Sequence, residues 1–473
     1  PMHTTMLAAA VGLFLQAAVG LTLEARWRAF GAKAGAPPRN VNQFDLRGYE
    51  GMRDDDNRTP RFIEAIERQL AVSAAAGRGR VVLDIGTGPF ALLALAAARA
   101  GASRVFALES DGRVAAAARE AVAAATDVPS GLVEVIEGLS TEVSLPEPAD
   151  IIVAEVVGNV ASEEGFVATM RDARDRHAAH PSDPASFIPC AIETLGAPMS
   201  YVMHHPALGP AGFDWERVIA DEPPPHFACS YRGLQLLAEP QVLESFSLAL
   251  SDPLSPGQRL RSATFTVASE RIAAADAQVY AELMRARAGP EKQGSGTRGT
   301  SGDAAGGPPS AAASACAAVA AEVAHSFSGI GLWPRLVLHR GGTSALGGQA
   351  RAATDGDTKG GGAQTAKPKG APGAATGERC QSSAGEAPPA SSPAAAPGHL
   401  LPPIVVNARG EAGEPSRSHW QTVMPLLSPE AARVRAGDVL ELRFASRLDA
   451  DVRVPAEYSL QVKTRSGASL APV

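Results

Sequence analysis

The chain has 473 residues, of which 45% are hydrophobic and 20% are charged, and its formal net charge is −7. This length and composition suffice for two or three globular domains. The acidic balance argues against a nucleic-acid partner, which would favour a basic face. No CxxC pair occurs, so a zinc site, any other metal site and a disulfide framework are not predicted; the four cysteines are Cys190, Cys229, Cys316 and Cys380.

Residues 1–43 are interpreted as an N-terminal segment that is apolar and either helical or a targeting sequence. Residues 6–23 form a nearly unbroken apolar run in which Gln16 is the strongly polar exception. The run is short for a membrane-spanning helix and no lysine or arginine precedes it, so membrane contact is expected only if this segment is an anchor. The expected location is cytoplasmic or nuclear, and targeting by residues 6–23 to an organelle or a membrane stays an alternative.

Residues 44–187 alternate short apolar runs with alanine-rich stretches, which predicts an α/β domain with a Rossmann-like parallel sheet. The predicted helices are Leu92–Ala100 and Gly112–Ala125. The predicted strands are Val81–Ile85, Val105–Leu108, Leu132–Ile136 and Ile151–Ala154.

Residues 188–473 carry spaced β-type segments, which predict a second, antiparallel domain, either a barrel or a sandwich. Two stretches at about 286–314 and 341–398 are rich in Gly, Ala, Ser and Pro, and we interpret them as disordered insertions in its loops. The predicted strands are Ser245–Leu250, Leu260–Ala268, Ala320–Phe327, Leu332–His339, Val439–Ala445 and Tyr458–Val462.

A glycine turn follows the first predicted strand and predicts a nucleotide-type cofactor pocket. Asp84 precedes Gly86 and Gly88, whose bare main chain leaves room for a ligand. Glu109 ends the next strand, where a carboxylate accepts hydrogen bonds from both ribose hydroxyls. NAD and S-adenosylmethionine both fit such a pocket, but the turn lacks the third glycine of the dinucleotide spacing and continues through Phe90, so S-adenosylmethionine and methyl transfer are favoured.

Ser140 and Thr141 follow the third strand, where the edge of an adenine ring would be read, and they complete the predicted cofactor pocket.

The acceptor chemistry is predicted from two acids beyond the fourth strand. Glu155 and Glu164 lie nine positions apart, and Gly158 between them allows the chain to loop back so that both face one cavity. A guanidinium is permanently charged and a poor nucleophile, so methylating it requires carboxylates that orient it by paired hydrogen bonds. Glu163 beside Glu164 is an alternative for the second acid, with spacing favouring Glu164.

This loop resembles the double-glutamate loop of the protein arginine N-methyltransferases. Residues 49–59 are similar to the family's N-terminal helix motif, and residues 418–423 are similar to its threonine-histidine-tryptophan loop. The resemblance covers about residues 44–473 apart from the insertions. It implies a Rossmann-like domain that binds S-adenosylmethionine, followed by an antiparallel β-barrel.

The resemblance also assigns roles to individual residues. Arg58 would pair with the carboxylate of the cofactor, and Met52 would pack near its sulfonium. Asp55 and His419 would form a polar pair beside the acceptor, and Trp420 would form a wall of the arginine slot. Asp54 and Asp56 compete with Asp55 for this assignment.

The leading functional hypothesis is a protein arginine N-methyltransferase that acts on an arginine-containing protein and forms a homodimer through an arm between residues 204 and 237. The family's paired tyrosines upstream of the methionine are absent from residues 41–46. A methyltransferase for a small amine or guanidine, and a catalytically silent cofactor-binding scaffold, are therefore the alternatives.

Overall fold

The computed structural model describes residues 22–29, 46–206, 208–210, 212–220, 223–249, 252, 254–288, 311–343, 400–410, 413 and 415–464. Residues 1–21 and 30–43 of the predicted N-terminal segment therefore lie outside the described residues, as do 289–310 and 344–398 of the two predicted insertions. Within the part that is described, no helix has the length and apolarity needed to cross a membrane.

The parallel sheet is confirmed, and its strand order places the edge at which a ligand can bind. The described chain begins with β1 (Thr22–Arg28), α1 (Leu46–Arg53) and α2 (Thr59–Ala75) and then enters the sheet. The order in the sheet is β4-β3-β2-β5-β6. Its elements are β2 (Val81–Ile85), α3 (Leu92–Arg99), β3 (Arg104–Glu109), α4 (Gly112–Ala124), β4 (Val133–Glu137), β5 (Ile151–Ala154), α5 (Phe166–Arg176) and β6 (Phe187–Ile188).

Strand β2 lies at the point where the chain changes direction across this sheet. It pairs in parallel with β3 on one side and with β5 on the other, with Ile85 opposite both Leu108 and Ala154. In open sheets of this type, ligands bind beyond the carboxyl ends of the strands at such a switch point. The glycine turn after β2, Glu109 at the end of β3 and Glu155 after β5 all meet there.

The antiparallel second domain is confirmed, and within the described residues it contains two larger antiparallel sheets and two two-stranded ones. One sheet has the order β1-β20-β19-β11, and the other has the order β10-β7-β13-β17-β8 with β16 and β9 alongside. The elements are β7 (Ala191–Tyr201), α6 (Trp215–Ala220), β8 (His226–Ala228), β9 (Leu234–Leu236), β10 (Gln241–Ser247), β11 (Gly257–Thr266), α7 (Ser269–Ala288), α8 (Ala311–Ala324), β12 (Ser326–Phe327), β13 (Gly329–His339), β14 (Gly342–Thr343), β15 (Leu400–Leu401), β16 (Ile404–Asn407), β17 (Gln421–Val423), β18 (Ala432–Arg433), β19 (Val439–Leu448) and β20 (Glu457–Thr464).

Two segments differ from the sequence-based expectation. Residues 22–28, expected within a helical or targeting segment, form β1, which pairs antiparallel with β20 and buries Leu23 and Trp27. Residues 320–324, expected in a strand, belong to helix α8, which is rich in alanine. Val323 of this helix packs against Val279 of α7, so contact between the two helices outweighs the short apolar run that favoured a strand.

Gly165 joins the two domains at the start of α5. Its φ of 80° lies in the left-handed region, and a Cβ atom at this position would overlap the side chain of Val452, in the connection between β19 and β20. Since Gly165 directly follows Glu164, this close approach ties the end of the acidic loop to the second domain.

Replacement of Gly165 by alanine should therefore destabilise the protein through backbone strain and steric overlap together. We expect a loss of about 1–2 kcal/mol from the left-handed backbone and about 1–3 kcal/mol more from the overlap, measured by denaturant unfolding. Gly77→Ala is the matched control, because Gly77 has a φ of 64° but nothing within 4 Å of its Cβ position. Equal losses in the two variants would contradict the proposed contact with Val452.

Candidate active site

A cavity of about 370 Å³ opens at the carboxyl edge of the parallel sheet. It is lined by the glycine turn, by α1, by the loop after β5 and by the loop before β17. Met52, Arg58, Glu109, Glu155 and Trp420 all contribute to the lining. Residues from both domains and from both ends of the chain therefore meet in one enclosure.

The buried Asp84 side chain stabilises the glycine turn on the side away from the cavity. The Asp84 carboxylate accepts hydrogen bonds from Thr87 Oγ1 at 2.7 Å and from the Ala94 amide at 3.1 Å. Asp84 is 1% exposed and is not among the lining residues, so it shapes the turn, whereas Gly86 and Gly88 present their main chain to the cavity. Burial raises the pKa of Asp84 to about 6, against the opposing effect of these hydrogen bonds.

Glu109 closes the other side of the turn. Its carboxylate accepts hydrogen bonds from the Gly88 amide at 3.1 Å and from the Asp111 amide at 3.0 Å. Burial raises the pKa of Glu109 above its ordinary value. The carboxylate thus lines the cavity and is oriented by main-chain donors.

Ser140 and Thr141 are not among the lining residues. The Ser140 carbonyl instead accepts hydrogen bonds from Arg176 at 2.7 Å and from the His177 ring at 3.1 Å. This part of the predicted cofactor pocket therefore faces the end of α5.

Arg58 and Glu155 form a buried ion pair across the cavity floor. Arg58 Nη2 and Nε lie 2.5 Å and 3.1 Å from Glu155 Oε2, and both side chains are less than a tenth exposed at 7% and 6%. Arg58 Nη1 donates to the Met52 carbonyl at 3.3 Å, which connects the pair to α1. One carboxylate oxygen of Glu155 therefore already accepts hydrogen bonds from a guanidinium.

The neighbouring acids of the loop have different environments. Glu163 Oε2 accepts hydrogen bonds from the amides of Asn159 at 3.2 Å and Val160 at 3.4 Å, and Glu163 is not among the lining residues. Glu164 lines the cavity together with Glu155. Burial, with added repulsion from Glu155 and Glu163, raises the pKa of Glu164 well above its ordinary value.

Asp55 connects the N-terminal helices to the loop before β17. One oxygen accepts the amides of Asn57 at 2.8 Å and Arg58 at 3.0 Å. The other accepts His419 Nδ1 at 2.8 Å, the His419 amide at 2.7 Å and Ser418 Oγ at 3.3 Å. Of the three neighbouring aspartates, Asp55 makes these contacts, whereas the Asp54 carboxylate is bound by Arg53.

These contacts determine the charge state of the Asp55–His419 pair. Burial alone would raise the pKa of Asp55, but the hydrogen bonds from His419 and from the backbone lower it to about 2. Burial lowers the pKa of His419, and the hydrogen bond to Asp55 only partly offsets this. At neutral pH we therefore assign an ionised Asp55 that accepts a hydrogen bond from the Nδ1–H of a neutral imidazole.

Trp420 forms one wall of the cavity. It is 3% exposed, its Nε1 donates to the Val157 carbonyl at 2.7 Å, and its ring lies 3.9 Å from that of His419. The Gln421 amide donates to Asn159 Oδ1 at 2.7 Å. The loop before β17 is thereby attached to the loop that carries Glu155 and Glu164.

Tyr49 is a lining residue to which sequence analysis assigned no role. It faces the glycine turn: a Cβ atom built on Gly88 would lie 3.2 Å from Tyr49 Cε1. Tyr49 precedes Met52 by one helical turn, so the shared face of α1 was the available signal. Within the described residues, no group of three or more His, Cys, Asp or Glu side chains is arranged to hold a metal ion.

Comparison with known proteins finds similarity to methyltransferases. The profile of the ribosomal protein L11 methyltransferase (PrmA) family matches residues 59–164. Protein arginine N-methyltransferase PRMT10 of Oryza sativa subsp. japonica is 44% identical over 99 residues, which cover 21% of this chain and 25% of the relative. Arginine N(omega)-methyltransferase of Streptomyces achromogenes subsp. streptozoticus is 31% identical over 231 residues, which cover 47% and 61% of the two chains.

The whole fold is similar to that of a solved Trypanosoma brucei PRMT1 enzyme-prozyme heterotetrameric complex with AdoHcy. The TM-score is 0.51 at 15% identity, and the match covers 90% of this chain and 95% of that one. This likeness shows that the two chains share a fold. The sequence matches span only 25% and 61% of the lengths of the two relatives.

The Asp55 carboxylate should give this protein a specific dependence of stability on pH. Its folded-state pKa of about 2 lies below the ordinary 3.8. Its stabilising contribution is therefore complete above the ordinary value and is lost as the pH falls through about 2. Asp55→Asn should lower the melting temperature near neutral pH, and its difference from the wild type should shrink between about pH 5 and pH 2.

Asp54→Asn is the matched control for this measurement, because the Asp54 side chain is 62% exposed and its ion pair is with the neighbouring Arg53. Its melting temperature should follow that of the wild type closely across the same range. A constant difference between Asp55→Asn and the wild type at all pH values would contradict the assignment of Asp55 as an ionised hydrogen-bond acceptor.

Proposed function

We propose that the chain is an S-adenosylmethionine-dependent protein arginine N-methyltransferase. The observation that carries the proposal is the shared cavity: Glu155 and Glu164 line the same enclosure as Gly86, Gly88 and Glu109. Two acids suited to a guanidinium therefore adjoin a turn and a carboxylate suited to an adenosine cofactor.

The residues present fit S-adenosylmethionine. Gly86 and Gly88 have φ values of 75° and 66°, and side chains there would crowd Val156 and Tyr49, so the turn offers bare main chain to a ligand. Glu109 would accept the ribose hydroxyls, Arg58 would bind the cofactor carboxylate and Met52 would line the space near the sulfonium. The cofactor supplies an activated methyl group when bound, in keeping with the AdoHcy of the Trypanosoma brucei complex.

The two glutamates would hold and polarise the acceptor. Arg58 is paired with Glu155, and the raised pKa of Glu164 favours its protonated form. If Arg58 turned to bind the cofactor carboxylate, Glu155 would be released for the acceptor, and an entering guanidinium would favour ionisation of Glu164. Both acids would then orient one guanidinium nitrogen toward the methyl carbon, so positioning and electrostatics supply the acceleration.

His419, held in place by Asp55, would accept the proton that the acceptor nitrogen loses. Formation of the nitrogen–methyl bond would be accompanied by cleavage of the sulfur–methyl bond, whose electron pair would stay on the sulfur of the S-adenosylhomocysteine that leaves. The guanidinium nitrogen would then have to lose one proton to return to the ordinary guanidinium charge. The neutral imidazole of His419, held at Nδ1 by Asp55, leaves Nε2 able to accept that proton. Trp420 would exclude water from this side of the acceptor.

The direct test is incubation of the chain with labelled S-adenosylmethionine and an arginine- and glycine-rich peptide, with free arginine offered in parallel. Wild type should methylate the peptide. Glu155→Gln should reduce kcat about 100-fold or more, because one donor–acceptor pair that orients the reacting nitrogen is lost. Binding of S-adenosylhomocysteine, measured by calorimetry, should be retained.

Glu134→Gln is the matched control, since Glu134 belongs to the same sheet, has a 50% exposed side chain and pairs with Arg104. Its activity should equal that of the wild type. Full activity of Glu155→Gln would refute the assignment of the acceptor site, and binding without transfer to either acceptor would indicate a silent scaffold.

A second candidate is methylation of a small guanidine. The longest of the sequence matches reported above is to a Streptomyces protein named for arginine itself, and the chain carries no paired tyrosines upstream of Met52. The same pair of glutamates would bind a free guanidinium equally well. A kcat/KM for free arginine that exceeds the value for the peptide would favour this candidate.

We also propose that the protein forms a homodimer through the segment between residues 204 and 237. Phe213 is 47% exposed and Tyr231 is 37% exposed, although both pack against an aromatic group that includes Trp215, Phe227 and Tyr201. Large apolar side chains that stay half exposed beside a partly buried aromatic cluster are typical of an interface.

Phe213→Ser should shift the mass measured by light scattering from the dimer to the monomer, because it removes exposed apolar surface from that segment. Leu260→Ser is the control, since Leu260 is 68% exposed on strand β11, away from this segment, and should leave the mass unchanged. A monomeric wild type would contradict the proposal at once.

A further inference from the structure

A buried polar network connects the acidic loop to the second domain. We call residues 155–165 the acceptor loop, and Ser162, Thr194, Glu244 and Tyr458 the Glu244 network. Ser162 Oγ lies 3.0 Å and 2.9 Å from the two carboxylate oxygens of Glu244, and Thr194 Oγ1 donates to Glu244 Oε2 at 3.0 Å. Tyr458 Oη lies 3.0 Å from Ser162 Oγ. The network therefore brings strands β7, β10 and β20 to one point of the loop.

The hydrogen bonds of this network have a definite direction. The Ala161 amide can only donate, and it does so to Thr194 Oγ1 at 3.0 Å. The Thr194 hydroxyl then directs its own proton to Glu244. Ser162 likewise donates to Glu244 while it accepts from the Tyr458 hydroxyl. Both chains of donors end on the carboxylate, which is the acceptor that fixes the orientation of every hydroxyl in the network.

The four side chains are almost completely buried. Exposure is 5% for Glu244, 2% for Ser162, 3% for Tyr458 and 0% for Thr194. Burial raises the pKa of Glu244 above its ordinary value, although the hydroxyl donors and the charge of Arg259 act in the opposite direction. A carboxylate removed from water in this way requires all of its donors, so the loss of one donor disturbs the others.

The position of the network along the chain links it to the acceptor site. Ala161 and Ser162 immediately precede Glu163, which binds the amides of Asn159 and Val160, and Glu164, which lines the cavity. Gly165 closes the loop against Val452. The backbone on both sides of the two acids is therefore fixed to the second domain, on one side through hydroxyls and on the other through packing.

We propose that Glu244 is a positioning residue for methyl transfer, which holds Ala161 and Ser162 in place and thereby sets the direction in which Glu164 faces the cavity. Glu244 does not line the cavity and would not touch the acceptor. The inference rests on the proposed function, since it assigns Glu244 a role in the same reaction. It differs from a purely structural role because it concerns the turnover of a bound acceptor.

Glu244→Gln tests the proposal with minimal change of shape. An amide presents two N–H donors where the carboxylate accepted, so it cannot receive both hydroxyl protons in their present orientation. We expect kcat to fall about 10- to 100-fold, because small displacements of a positioning group have effects of this size. Affinity for S-adenosylhomocysteine should stay within about twofold of the wild type, because the glycine turn and Glu109 are untouched.

Two substitutions at Thr194 separate positioning from packing. Thr194→Val keeps the shape and removes the hydroxyl, so it should lower kcat, whereas Thr194→Ser keeps the hydroxyl and should restore most of it. Glu193→Gln is the control, because Glu193 lies on the same strand but pairs with Arg335 at 2.5 Å outside the network. Its kcat should equal that of the wild type. The Thr194 variants also test the positioning role if Glu244→Gln fails to fold.

Hydrogen–deuterium exchange of a peptide spanning residues 158–165 provides a readout that requires no activity. Exchange should be faster in Glu244→Gln and Thr194→Val than in the wild type, with the peptide that contains the glycine turn unchanged. Unchanged exchange and a kcat within about twofold in both variants would overturn the proposal, as would equal losses for the valine and serine variants at Thr194. A wild type that methylates neither acceptor would refute the proposed function. In that case the exchange comparison would test only whether Glu244 and Thr194 hold the acceptor loop in place.

Discussion

The buried ion pair between Arg58 and Glu155 is the interaction on which the arrangement of the cavity depends. It joins the segment between α1 and α2 to the end of β5, and both side chains are withdrawn from water. Removal of one partner from such a pair typically costs about 3–5 kcal/mol, because it leaves an unpaired buried charge. The same geometry demonstrates that Glu155 can bind a guanidinium at short distance.

A second constraint is that neither domain completes the cavity alone. Asp55 receives donors from its own turn and from the loop before β17, and Trp420 donates to the main chain of the acceptor loop. The acidic loop is in turn held by side chains of the second domain. Relative movement of the domains would therefore alter the cavity, whereas the glycine turn, whose hydrogen bonds come from residues of the parallel-sheet domain alone, would keep its shape.

The sequence was most informative where local chemistry determines structure. The predicted bounds of the strand Ile151–Ala154 agree with the structure because a short apolar run ends abruptly in a charged residue. The glycine turn was predictable because positive φ values favour glycine, and Glu109 because it ends a buried strand. Sequence alone could not separate Glu163 from Glu164, since neighbouring side chains diverge according to the main-chain amides that each one meets.

Long-range packing determined what local patterns did not predict. The alanine-rich segment before Phe327 carries a valine and adjoins a strand, yet a neighbouring helix stabilises it as α8. The Ser140 carbonyl turns toward Arg176 and His177 because these residues, 36 and 37 positions away, supply its donors. The strand Thr22–Arg28 pairs with β20, which lies still further along the chain. The residues near this strand in the sequence therefore could not predict it.

The pairing of β1 with β20 has a consequence for assembly on the ribosome. Arg28 and Glu457 form a hydrogen bond across 429 positions, so β1 is synthesised long before its partner. The parallel sheet, whose strands all lie between residues 81 and 188, has every partner available much earlier. Domains generally fold as units during synthesis, and contacts of high sequence separation form slowly. Strand β1, which is synthesised before the other described strands, is thus among the last to be paired, and its unpaired edge must be kept from other chains while the rest of the protein is made.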